Sequence, residues 1–195
     1  MPRNDRSHAP GRARGARTAS GGGVKSANSG GDRKTIEFLN LILKNELTAI
    51  NQYFLHSRML ANWGVSELSK KEYEESIDEM KHADSLIQRI LFLGGLPNLQ
   101  YLDKLLIGEN VEEVIACDLK FEEKALSDLR QAIAHAEQMQ DYGSRMLYEG
   151  ILKSEEEHID YLHTQQTLIA ALGLADYIQV QTHPNAANAL DPPGK

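Results

Sequence analysis

Glu46 precedes the run Glu79-Met80-Lys81-His82 by 33 residues, and Glu122 precedes Glu155-Glu156-Glu157-His158 by the same 33. A lone Glu and a Glu-x-x-His, each supplied twice, are what paired helices of a four-helix bundle need to hold two metal ions. The set offers four carboxylates and two imidazoles. Oxygen-rich ligation with one imidazole per ion suits iron or manganese better than calcium, and the lack of thiolates disfavours a structural zinc site. By affinity order alone, zinc or copper would still bind in vitro. A single Glu-x-x-His is weak, since an i, i+3 pair is commonly a surface contact; Asp160-Tyr161-Leu162-His163 is read as such a decoy.

The doubled set gains weight from its place in the packing pattern. The core-spaced series of the first helical segment is Leu39, Leu43, Glu46, Ile50, Tyr53, and that of the third is Ile115, Leu119, Glu122, Leu126, Leu129, Ile133. The fourth reads Ile151, Glu155, His158, Leu162 and the second Glu79, His82, Leu86, Ile90. Each helix thus aims polar groups inward at one level. An ionised carboxylate taken from water without a partner costs several kcal/mol, and four together repel one another. No Lys or Arg falls in these series, whereas two divalent cations neutralise four carboxylates charge for charge.

Stepping outward, the turn signals divide the body into four long periodic segments, predicting an all-α fold. They run from about Thr35 to Trp63 before Gly64, from about Ser69 to Leu93 before Gly94-Gly95, from about Val111 to Gln140 after an Asn110 cap, and on to Leu172 after a break near Asp141-Tyr142-Gly143. The break reads as a turn or a kink. A short fifth helix is expected over Leu174 to Val180. Residues 94–110 could span roughly 55 Å extended, against about 40 Å for a helix of nearly thirty residues. This link can therefore run the length of the bundle and set the second and third helices parallel, the one-crossover arrangement of ferritin-like bundles.

The chain has 195 residues and a net charge of −7, unevenly spread. Residues 1–34 carry eight Lys or Arg against two Asp, hold seven of the fifteen glycines and lack Leu, Ile, Phe, Tyr and Trp, so they cannot build a core. They are expected to be a disordered basic tail: a solvated segment or an upstream misassigned start, in preference to a transit peptide or a nucleic-acid-binding arm. Residues 35–181 form the expected domain and 182–195 a flexible end. No apolar run approaches the roughly 20 residues that cross a bilayer. The lone Cys117 cannot make an internal disulfide and reads as an inert packed residue.

The stretches Asn45-Glu46-Leu47, Ala49-Ile50-Asn51-Gln52-Tyr53-Phe54-Leu55-His56, Glu75-Ser76-Ile77-Asp78-Glu79-Met80-Lys81-His82-Ala83-Asp84 and Leu91-Phe92-Leu93-Gly94-Gly95-Leu96-Pro97-Asn98 resemble bacterioferritin, over about Gly31 to Gln181. The resemblance implies a cytoplasmic, hollow cage of twenty-four subunits that stores iron. A ferroxidase centre in each bundle would oxidise Fe(II) with O2 or H2O2, with a ferredoxin as a possible electron donor. Its dinuclear iron ligands would be Glu46, Glu79, His82, Glu122, Glu155 and His158, with Glu79 and Glu155 bridging. It further implies haem b shared between two subunits through Met80, which helical geometry turns about 100° from Glu79 and away from the interior; by itself such a methionine would be read as interface filling. Tyr53, seven residues after Glu46, reads either as the family's redox-active tyrosine or as a phenol satisfied by a carboxylate.

This chain departs from that family pattern at Glu74, where a histidine can help hold an inner-surface iron with the residue matching Asp78. It departs again at Leu86 and Tyr161, where tyrosine and tryptophan can stand, and at Gly94 and Thr167, which replace acids of a proposed entry pore and leave Asn62 and Asp160. Three other functions fit the same residues: a diiron oxidase acting on an organic substrate, a haem protein with vestigial carboxylates, and a DNA-protecting cage that uses the tail.

Overall fold

Helix starts follow side chains that satisfy the otherwise unpaired first amides. In the computed structural model, which describes residues 32–182, Asp32 accepts from the Thr35 amide at 3.0 Å and opens α1, Arg33–Asn62. Asn110 accepts from the Glu113 amide at 3.0 Å and opens α3, Val111–Gln138. Asp141 accepts from the Ser144 amide at 3.1 Å and opens α4, Tyr142–Leu172. Between them α2 spans Ser66–Phe92, and α5, Leu174–Val180, follows Gly173. Expectations for residues 1–31 and 183–195 lie outside the described residues, while Arg33 and Lys34, expected in the tail, already belong to α1.

The second helix starts three residues before the expected Ser69. Its N-cap residue, Val65, makes no side-chain cap bond. Instead Val65 and Leu68 are buried in the core, and the Glu67 amide donates to the Gln181 carbonyl at 3.1 Å just beyond α5. Tertiary packing sets this start. The break near Asp141 is a turn, made by Gln140 at φ 55° where glycine would be usual.

Side-chain contacts give the topology. Thr35 meets His135, Asn45 meets Asp128, Tyr53 meets Glu122 and His56 meets Asp118. Rising numbers in α1 meet falling numbers in α3, so these helices are antiparallel. The hairpin makes α1 antiparallel to α2 as well, and α2 is therefore parallel to α3, as the crossover length predicted. One apolar cluster, with Leu39, Leu43, Leu86, Ile90, Leu129 and Ile151, fills one end of the bundle. A second, with Leu60, Leu68, Ile115, Leu162 and Tyr177, fills the other. The polar level lies between them.

The crossover is tied to one stripe of α1. The amides of Asn98, Asp103, Leu106 and Gly108 donate to the side chains of Asn40, Thr48, Gln52 and His56, at 2.7, 3.0, 2.8 and 3.1 Å. Lys44, in the same i, i+4 row, pairs with Asp103 at 2.9 Å. The loop supplies amides that no sheet or helix satisfies, and the helix supplies acceptors once per turn. Replacing Thr48, fully buried, by the isosteric Val removes the acceptor and leaves the Asp103 N–H unpaired. Thr48→Val is expected to lower stability by about 1–3 kcal/mol in denaturant unfolding; an unchanged midpoint would show that the crossover is held by packing alone.

Candidate metal centre

Between the two apolar ends, α1 presents Glu46, α2 Glu79 and His82, α3 Glu122, and α4 Glu155 and His158. All but His82 are buried, at 4 % exposure or less; the His82 side chain retains 18 %. The structure therefore brings together all six residues singled out by spacing. His82 Nδ1 lies 3.2 Å from Glu46, 3.1 Å from Glu79 and 3.5 Å from Glu155. His158 Nδ1 lies 3.1 Å from Glu122.

Their ligand atoms fall into two ion-sized groups. One comprises Glu46, Glu79, His82 and Glu155; the other comprises Glu79, Glu122, Glu155 and His158, the atoms of each lying within 4.8 Å of one another. Glu79 and Glu155 are common to both. Each imidazole turns Nδ1 inward, and one Glu155 oxygen stays buried without a hydrogen-bond partner. Such an unsatisfied acceptor is costly in a closed protein core and suits metal ligation.

The electrostatics match this crowding. Burial first, and neighbouring carboxylates after it, push the Glu79 and Glu155 carboxyls well above the ordinary range; burial also raises Glu46. Burial works against a charged imidazole at His82, yet the neighbouring Glu155, Glu46 and Glu79 carboxylates outweigh it and push the ring up to about 12. At His158 burial is likewise overcome, by Glu122 foremost, and the ring rises to about 10. Without metal both rings carry protons that offset carboxylate charge.

Tyr53 is fully buried and its hydroxyl donates to Glu122. Burial, then the Glu122 charge, push the phenol well above its usual value, keeping it protonated. Its ring stands edge-on to His158 at 5.3 Å and to Phe121 at 6.4 Å. Met80 is turned out of the bundle, half exposed at 50 %. Leu86 is packed in the core, and Tyr161 stacks on His158 at 6.5 Å. Glu74, Asn62, Asp160, His163 and Thr167 are exposed. Cys117 is half-buried, and burial raises its thiol.

Three residues escaped the sequence reading. His56, Glu72 and Asp118 are fully buried and form a third group of ligand-type atoms within 4.8 Å. The available signal was register: Asp118 is one turn before Glu122, and Glu72 two turns before Glu79, so both lie on the faces already identified as inward.

Residues 36–172 match the family model described as a ferritin-like domain. A bacterioferritin of Rhodobacter capsulatus is 46% identical over 154 residues, covering 79% of this chain and 96% of the relative. One of Brucella melitensis is 47% identical over 154 residues with the same coverage. One of Mycobacterium leprae is 47% identical over 143 residues, covering 73% of this chain and 90% of the relative.

Proposed function

This chain belongs to the bacterioferritins, within the ferritin-like domain family, and on that premise we propose that it stores iron and oxidises Fe(II) to Fe(III) at the centre between its four long helices. The observation that carries this reading is the pair of ion-sized groups sharing Glu79 and Glu155. Two Fe(II) substrates held by bridging Glu79 and Glu155 stand side by side, with Glu46 and His82 as terminal ligands of one and Glu122 and His158 of the other. Each ion gives one electron. Together they supply the two electrons that take O2 to H2O2, or H2O2 to two waters, and the ferric product feeds a mineral in the cage.

The residues around the pair have distinct tasks. The partial exposure of His82 leaves one side of the centre open to solvent, while the apolar clusters close both ends. Tyr53 serves as a one-electron donor beside the second ion, its phenolic proton already directed at Glu122. Met80 suits a haem: its exposed thioether is a soft ligand that would hold the iron of a haem b shared with a second subunit. When bound, that haem would supply electrons for reduction of stored ferric iron, with a ferredoxin as the donor. Among the described residues, large apolar side chains stay exposed, including Leu91, Leu96, Tyr101 and Met146. This supports assembly into a cage, which we take to be of twenty-four subunits in the cytoplasm. No helix of the described residues is long and apolar enough to cross a membrane.

Anaerobic Fe(II) titration of the metal-free protein tests the reading. Wild type is expected to bind a tight pair per chain and oxidise it rapidly when O2 is admitted. Glu122→Ala removes a terminal ligand, so it is expected to keep one tight ion and lose rapid paired oxidation. A wild-type chain that takes up no tight pair would rule the proposal out.

A further inference from the structure

His56, Glu72 and Asp118 lie outside the dinuclear centre and share no residue with either of its groups. Relative to that centre, Asp118 is four residues before Glu122 and Glu72 seven before Glu79, displacements of about 6 and 10 Å along α3 and α2. Because those helices are parallel, both steps lead to the same end of the bundle. His56 lies there on the antiparallel α1, three residues past Tyr53.

The hydrogen bonds assign the roles. The Gly108 N–H donates to His56 Nε2 at 3.1 Å, so that nitrogen is the acceptor and Nδ1 carries the ring proton. Nδ1 lies 2.9 and 3.0 Å from the two Asp118 oxygens, and Gln52 donates to the same carboxylate at 2.8 Å. Asp118 is thus aimed by two donors that are themselves anchored to the crossover. Glu72 differs: it is fully buried, and neither of its oxygens has a hydrogen-bond partner. The cations acting on it are engaged elsewhere, Lys71 with Glu75 and His158 with Glu122.

Two acids so placed hold a proton or a cation, and a proton kept by Glu72 alone would be a buried donor without an acceptor. A shared proton would draw the oxygens to roughly 2.5–2.7 Å, and Glu72 makes no such bond. Oxygens on one divalent cation, with metal–oxygen distances of about 2.0–2.6 Å, are held as far as about 5 Å apart, which accommodates this group. We propose that Glu72 and Asp118, the latter oriented by His56 and Gln52, bind one divalent transition-metal cation in a third, mononuclear site beside the dinuclear centre. Two carboxylates neutralise one such ion, and the remaining positions go to water. Oxygen ligation of this kind selects Fe(II) or Mn(II) over soft metals.

Crystals of the full chain soaked in Mn(II) test this by anomalous scattering. The expected result is a peak within about 2.0–2.6 Å of Glu72 and Asp118 oxygens, absent in Glu72→Gln while the dinuclear peaks persist. Dinuclear peaks in wild type with none between Glu72 and Asp118 would overturn the proposal, as would a third peak that survives in Glu72→Gln. Failure here leaves the dinuclear reading intact, since its residues are separate. In solution, Glu72→Gln and Asp118→Asn are each expected to show a smaller Mn(II)-dependent rise in Tm than wild type. Equal rises in all three proteins would count against the site.

Discussion

Glu79→Ala is expected to slow Fe(II) oxidation by more than about a hundredfold and to abolish tight binding of both ions. Loss of a residue that merely orients a ligand already costs about 10–100-fold in metal affinity or activity. Glu79 is itself a ligand-type group common to both ion-sized groups. Removing it therefore strips each position at once and leaves His82 without its 3.1 Å neighbour. Glu46 belongs to one group only, so Glu46→Ala should retain one tight ion per chain. The difference between shared and terminal acids is what anaerobic titration of the two variants would read. Loss of Glu79 also removes one of three carboxylate neighbours of His82, so the Tm of the metal-free variant is measured beside that of metal-free wild type and the titrations are run below both. Retention of both tight ions in Glu79→Ala would show that this carboxylate is not shared.

The contrast between the two buried polar clusters shows what could be read from the chain. Glu46, Glu79, Glu122 and Glu155 interrupt apolar series at positions where Leu or Ile would fit, and a doubled 33-residue spacing made the interruptions conspicuous. The helices and their crossover followed from the same periodicity. Asp118 and Glu72 share the inward faces of Glu122 and Glu79, but with His56 they recur at no second position, so nothing made them conspicuous. The row Asn40, Thr48, Gln52, His56 was likewise hidden, because its partners are backbone amides of the crossover, and amides leave no trace in side-chain pattern. Ile50, Leu126 and Ile133, placed in the core by spacing, are only half-buried. Buried members of the same series, Leu43 and Tyr53 in α1 and Leu119 and Leu129 in α3, bracket their angular positions on each helix, so periodicity alone does not separate them. The start of α2 was missed for a related reason: it is fixed by Val65 and Leu68 packing and by the contact with Gln181, none of which is local to a cap.

Metal affinity at the dinuclear centre should fall with acidity, by at least about tenfold per cation for each pH unit, because each ion displaces the proton of one imidazolium ring. The sign follows from the metal-free cluster. His82 and His158, raised to about 12 and about 10, are both charged at neutral pH. Such raised imidazoles contribute stability that is fully present below their unfolded value near 6.5 and is lost as pH rises through the folded values. The Glu79 and Glu155 carboxyls, raised well above 4.5 by burial, act on the metal-free fold in the same direction. Four ionised acids, two neutral rings and two divalent cations are electroneutral. Loading must therefore take the proton from each imidazolium ring, and it becomes more favourable as pH rises while the metal-free protein becomes less stable. Anaerobic Mn(II) titrations between pH 5.5 and 7.5, with proton release followed by indicator dye, would measure both quantities. Affinity independent of pH across that range, with no protons released, would mean that His82 and His158 are already neutral without metal.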